Sequence, residues 1–127
     1  MLANEITKDN LHSMVVRFYT NLLKDEAVSP FFIKKFGRDM SSEAWKRHLR
    51  LVTNFWASLA FEDSEYRGYP SSPQCLLIGI DAKNFQPWLK LFYEVVDAVY
   101  EPKLAKVFKE GSSMIIGNFM RNLGLVA

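Results

Sequence analysis

"SSEAWKRHLRLVTNFWASLA", residues 41–60, decides how the rest of the chain is read. Trp45, Val52, Phe55, Trp56 and Leu59 recur at three- and four-residue spacing, the period of one helix face, and Ser41 or Ser42 supplies a plausible N-cap. His48 falls in the same apolar stripe, three residues after Trp45 and four before Val52. An imidazole on a buried face costs a few kcal/mol unless something hydrogen-bonds or ligates it, roughly 1–3 kcal/mol by mutational measures. A lone histidine in such a place is more often a satisfied core residue than a ligand, so His48 needs company before it carries a function.

Working outward, Leu11, Met14, Val15, Phe18 and Leu22 predict a helix from Thr7 to about Lys24, with Thr7 as N-cap and Ile6 stapling onto Leu11. "SPFFIKKFG" has Pro30 near its start and Gly37 at its end, the punctuation of a short buried helix. Downstream, Asn84 or Asp81 caps a helix through Tyr100, whose apolar face carries Phe85, Trp88, Leu89, Phe92, Val95, Val96 and Val99. Pro87 is tolerated there if it lies in the first turn. Glu101-Pro102 then opens a last helix with Leu104, Val107, Phe108, Ile115, Phe119 and Leu123 facing inward and Gly124 ending it. Residues from about 62 to 81 show neither helical nor strand periodicity. The expected fold is all-α, one domain over residues 1–127.

Composition excludes several function classes. The chain has 127 residues, 49% of them hydrophobic and 24% charged, ordinary values for a globular protein with its own core. No apolar run approaches a membrane span, and "MLANEITKDN" lacks the basic and apolar regions of a secretory signal, so a cytoplasmic location is expected. Sixteen Lys plus Arg against fourteen Asp plus Glu leave +2, spread along the chain, which argues against nucleic acid. Cys75 is the only cysteine and would persist as a thiol in a reducing compartment. No phosphate loop, nucleophile elbow or paired-histidine metal motif is present. With only two histidines a multi-histidine metal site is excluded, and His12 falls on a mostly polar, solvated face. Asp25-Glu26 and Asp63 with Glu65 read as solvated carboxylates at helix ends or in loops.

Two further polar groups lie on apolar faces. Tyr19, four residues after Val15, brings a hydroxyl into the first stripe, and Trp88 brings an indole N–H into the fourth helix. Each taken alone reads as core, with the tyrosine tied to a backbone carbonyl.

Read with their neighbours, these residues resemble the third group of truncated haemoglobins, the bacterial two-over-two globins. "FYTNLLKD" (18–25) is similar to that family's first core helix and "PFF" (30–32) to its short phenylalanine-bearing turn. "WKRHLRLVTNFW" (45–56) is similar to its distal helix, "YRGYP" (66–70) to the turn before the proximal segment, and "FQPWLKLF" (85–92) to the helix that follows. The resemblance covers most of the chain. It implies a truncated globin-like two-over-two helical sandwich holding haem b, with Tyr19, His48 and Trp88 as the distal polar cluster and Phe32 and Val52 as pocket walls. It further implies a small diatomic ligand such as oxygen, redox chemistry with oxygen or nitric oxide, and a redox partner.

One position departs from that pattern. The family's iron-ligating histidine lies fourteen residues before the tryptophan matched by Trp88, and here that position is Gln74. A glutamine carbonyl is a weak neutral donor, whereas a neutral imidazole holds both ferrous and ferric haem. The substitutes are Cys75 as thiolate, pointing about 100° from Gln74 on a helical turn, Tyr66 or Tyr69 as phenolate, or His48 from the distal side. The competing reading is a globin fold that has given up haem and serves as an apolar-ligand sensor or interaction module.

Overall fold

The computed structural model describes residues 2–60 and 84–122, and within them the regular structure is helical. Helix α1 spans Lys8–Leu22, α2 Ser29–Phe36, α3 Glu43–Ala60, α4 Phe85–Val99 and α5 Pro102–Asn122. Helix α1 packs against both α3 and α4, and α4 packs in turn against α5. No described helix is long and apolar enough to cross a membrane.

The helix ends follow local chemistry. Thr7 is the N-cap of α1: its hydroxyl accepts from the Asn10 N–H at 3.1 Å, and the Asn10 side-chain Oδ1 accepts from the Thr7 N–H at 2.9 Å. Ile6, just before the cap, packs against the core, as a staple requires. Helix α2 stops at Gly37, whose φ of +82° favours glycine, and its N–H donates to the Ile33 carbonyl. Ser42 marks the entry to α3, where its hydroxyl accepts from the Trp45 N–H at 3.3 Å. Pro87 falls in the first turn of α4, where a missing N–H breaks no helical bond.

The expected stripes of α1, α3 and α4 are buried, with Leu11, Met14, Val15, Phe18, Tyr19, Leu22, Trp45, Val52, Phe55, Trp56, Trp88, Leu89, Phe92, Val95 and Val96 all in the core. Trp56 ties three helices together. Its ring stacks on Phe92 of α4 at 5.3 Å and meets Phe108 of α5 edge-on at 5.4 Å.

The reading of α5 needs a correction. Val107, expected to face inward, is 59% exposed, and the buried stripe runs through Ala105, Phe108, Ser112 and Ile116. Val107 is one residue, about 100° around the helix, from Phe108, which puts it on the outer flank. Ser112 is tolerated in the stripe because its hydroxyl donates to the Lys109 carbonyl at 3.2 Å. The side chains of Leu59 and Phe119, together with Asp63, Glu65, Asp81, Leu123 and Gly124, lie outside the described residues.

Asn10 also ties the start of α1 to the end of α4. Tyr100, fully buried, donates its hydroxyl to Asn10 Oδ1 at 2.7 Å, and the Asn10 amide donates to the Glu5 carbonyl at 2.9 Å. Beside them Ala3 pairs with the backbone at Tyr100 through Ala3 N–H to Val99 O and Glu101 N–H to Ala3 O, at 2.9 and 3.0 Å. Removing the Asn10 side chain breaks a cap and leaves the Tyr100 hydroxyl without its acceptor. We expect Asn10→Ala to lower stability by about 2–3 kcal/mol in urea denaturation. Tyr100→Phe should cost less, and the double variant should cost less than the two single changes added.

Candidate functional site

Helices α1, α2 and α3 meet in an aromatic cluster centred on Tyr19. The Tyr19 ring lies 4.9 Å from Phe18, 5.8 Å from Phe32, 5.6 Å from Trp45 and 5.0 Å from His48, centroid to centroid. The Trp45 indole is anchored by donating to the Gly37 carbonyl at 2.8 Å, which couples the start of α3 to the end of α2. His48 sits edge-on to Tyr19 and stacks on Phe36 at 4.9 Å and 25°.

The structure therefore brings Tyr19, His48 and Phe32 together directly. Trp88 is reached through Phe18, whose ring meets Trp88 at 5.0 Å on one side and Tyr19 on the other. Val52, buried, lies one turn beyond His48 on α3. His12 is exposed on α1, as its polar neighbours predict. Gln74, Cys75, Tyr66 and Tyr69, the proximal position and the candidate iron ligands near it, lie outside the described residues.

Polar atoms inside this cluster are the site's most informative feature. His48 is 3% exposed and Trp88 fully buried, yet His48 Nε2 and Trp88 Nε1 have no hydrogen-bond partner among the described residues. Thr53 Oγ1 and Trp56 Nε1 share that condition. The sequence signals these last two only weakly: Trp56 reads as a core ring, and Thr53 is a helix threonine next to Val52. Buried donors are nearly always satisfied in folded proteins, so such atoms mark places where a ligand or water completes the bonding.

Electrostatics keep the imidazole neutral. Burial, and secondarily the positive charge of Lys35, push the His48 pKa down to about 4 from its ordinary 6.5. At neutral pH it therefore offers one N–H donor and one lone pair, the proton being placed by whatever it binds. Sequence reasoning missed the residues beside it: Lys35, Phe36, Ala44, Arg47 and Leu51 line an opening of about 170 Å³ together with His48. Arg47, just before His48 in "KRH", was the available signal.

Helices α1, α2 and α3, with Trp88 of α4 beyond Phe18, thus enclose a buried aromatic and imidazole cluster. A curated relative, the group 3 truncated hemoglobin ctb of Campylobacter jejuni, is 30% identical over 123 residues, covering 97% of this chain and 95% of that protein. The crystal structure of group III truncated hemoglobin from Campylobacter jejuni superposes with a TM-score of 0.80 and 28% identity, over 97% of this chain and 95% of the other. No family model matches the sequence. The chain belongs to the group 3 truncated haemoglobins, and its fold is the two-over-two truncated globin fold.

The depressed His48 pKa makes a prediction about the haem-free protein. Between about pH 4 and 6.5 the unfolded chain holds a proton at this position that the folded chain does not. Stability from this group is therefore complete above about 6.5 and is lost as pH falls toward about 4. The loss amounts to about 3 kcal/mol at most. Urea denaturation at several pH values should show a shallower slope in that window for His48→Gln than for the parent.

Proposed function

We propose that this chain binds haem b and a small diatomic ligand such as oxygen, with iron coordination that differs from the family's histidine. The observation that carries the reading is the pair of buried, unpartnered nitrogens, His48 Nε2 and Trp88 Nε1, in a cluster with Tyr19. They fit a polar pocket meant to receive something, and family membership supports haem as the group that fills the space beside it.

Haem, when bound, supplies an iron that takes a diatomic ligand. The chain's own part is to surround that ligand. Tyr19, His48 and Trp88 offer donors to a partly anionic atom, and in a site of low dielectric each donor is worth more than it would be in water. Phe32 and Val52 form the apolar walls that keep water out, and the neutral state of His48 spares the pocket an unpaired charge.

In the sequence, Gln74 stands where the family's iron-ligating histidine is expected. Its carbonyl is a poor iron donor, so Cys75, Tyr66, Tyr69 or His48 is the candidate ligand. Redox chemistry with oxygen or nitric oxide, a redox partner and a cytoplasmic setting belong to the same proposal. Gln74 also favours a second reading, a globin that no longer holds haem and uses its cavity for an apolar ligand or as an interaction module.

Haemin titration of the stripped protein separates the two. The first reading predicts a saturable, stoichiometric Soret band, tighter binding for Gln74→His, and a changed spectrum for Cys75→Ser if the thiolate is the ligand. A flat titration in both the parent and Gln74→His contradicts haem binding and leaves the second reading.

A further inference from the structure

Beside the contact between α1 and α3 lies a groove of about 870 Å³, none of whose lining residues belongs to the aromatic cluster. His12, Val16 and Thr20 of α1 and Lys46, Leu49 and Arg50 of α3 line it, at the three- and four-residue spacing of one face from each helix. Thr20, near the end of α1, meets Met40 in the link from α2 to α3, which sets the start of α3 beside the end of α1. The groove therefore runs from Met40 and Lys46 at one end toward His12 and Lys8 at the other. Its volume falls in the range of small-molecule sites, roughly 300–1,000 Å³.

The lining separates into an apolar floor and a cationic rim. The less exposed side chains, Val16, Met40 and Leu49, form the floor. The Thr20 hydroxyl adds no free donor to it, being engaged with the Val16 carbonyl at 2.8 Å and the Met40 sulfur at 3.6 Å. On the rim, Lys46 and Arg50 are exposed and one turn apart on α3, a spacing at which like charges repel. Neither forms an ion pair among the described residues. Asp39, whose carboxyl is held below its ordinary range first by the Ser41 hydroxyl and N–H and only weakly by Lys46, lies outside the groove. Asp9, the carboxylate in the lining, is in the first turn of α1 next to Lys8, at the far end. An anion seated at Lys46 and Arg50 meets two charges that no side chain neutralises, and it relieves their mutual repulsion.

We propose that this groove binds one molecule of an aliphatic carboxylate, its head group between Lys46 and Arg50 and its chain along Val16, Met40 and Leu49 toward His12. An apolar chain alone would leave the paired cations unmet, and a small anion such as acetate would leave the apolar floor in water, so the lining selects a ligand that carries both parts. Among the described residues no Phe, Tyr or Trp lines the groove to stack a nucleobase, which sets nucleotides aside. The site rests on neither haem nor the Tyr19 cluster, and its failure would leave the proposed function untouched.

The chain's two histidines report on the two places that an aliphatic chain could enter, His12 on the groove and His48 on the aromatic cluster. Full-length, haem-free protein labelled at histidine with nitrogen-15 is titrated with sodium decanoate below its micellar concentration, at constant pH and ionic strength. The expected result is a saturable shift of the His12 signal at one-to-one stoichiometry, with His48 unmoved. Affinity should fall at least roughly tenfold in Lys46→Gln/Arg50→Gln, whose exposed positions leave the core intact, by loss of two nearby charges. Lys90→Gln, on exposed α4 surface, should bind as the parent does. Decyltrimethylammonium and acetate, each lacking one part of the ligand, should give no saturable shift. A shift of His48 alone overturns the proposal, because it puts the chain in the globin pocket. No shift, equal affinity in the double variant, or equal binding of the decyl cation overturns it as well. So does protein that sediments with phosphatidylglycerol vesicles yet leaves free decanoate unbound, which would turn the cations toward a membrane surface.

Discussion

The arrangement depends on burying hydrogen-bond donors among aromatic rings. Tyr19 stands at the centre, with His48, Phe32, Trp45 and Phe18 around it and Trp88 beyond Phe18. Leaving a buried donor unmet costs about 1–3 kcal/mol, a large part of the net stability of a domain this size, typically about 5–15 kcal/mol. Under the proposed function, the unmet His48 Nε2 and Trp88 Nε1 are a stability cost offset when a polar ligand binds.

The surrounding structure shows how the cluster is held. Trp45 is fixed by its bond to Gly37, where positive φ ends α2 and aims the chain toward α3. Because α2 is only eight residues long, this contact sets where Phe32 and Phe36 meet His48. On the opposite side, Trp56 bridges α3 to Phe92 and Phe108, and Tyr93 donates its hydroxyl to the Lys109 carbonyl at 3.2 Å. Lys109 also pairs with Asp97 at 2.7 Å, a partly exposed contact that helps register more than stability. The pocket residues thus sit on helices whose relative positions are fixed by packing at both ends.

Much of this was legible in the sequence, for a physical reason. Amphipathic stripes reveal helices because burial imposes a 3.6-residue period, and Thr7, Gly37 and Pro102 mark ends because backbone groups need partners or positive φ there. The motif order of "WKRHLRLVTNFW" and "FQPWLKLF" carried the family, which the comparison with the Campylobacter jejuni protein shows. Val107 was misread because a residue at the edge of a stripe is placed by the partner helix's position, which no local pattern contains. The groove below Lys46 and Arg50 was invisible for the same reason: residues spread along a chain line one groove only when two helices bring them together. Gln74 was legible as a substitution at a known spacing, whereas which residue could reach an iron in its stead is a matter of three-dimensional reach.

The account's central claim is that the buried donors act on a bound ligand. Its most direct test is the carbon monoxide stretching band of the haem-loaded protein, compared with Tyr19→Phe and Trp88→Phe. Donors near the ligand's outer atom lower that frequency by favouring charge build-up there. The account predicts a low band in the parent that rises in each variant. A band at the same frequency in all three proteins would contradict it, and would mean that Tyr19 and Trp88 are core residues that contribute packing alone.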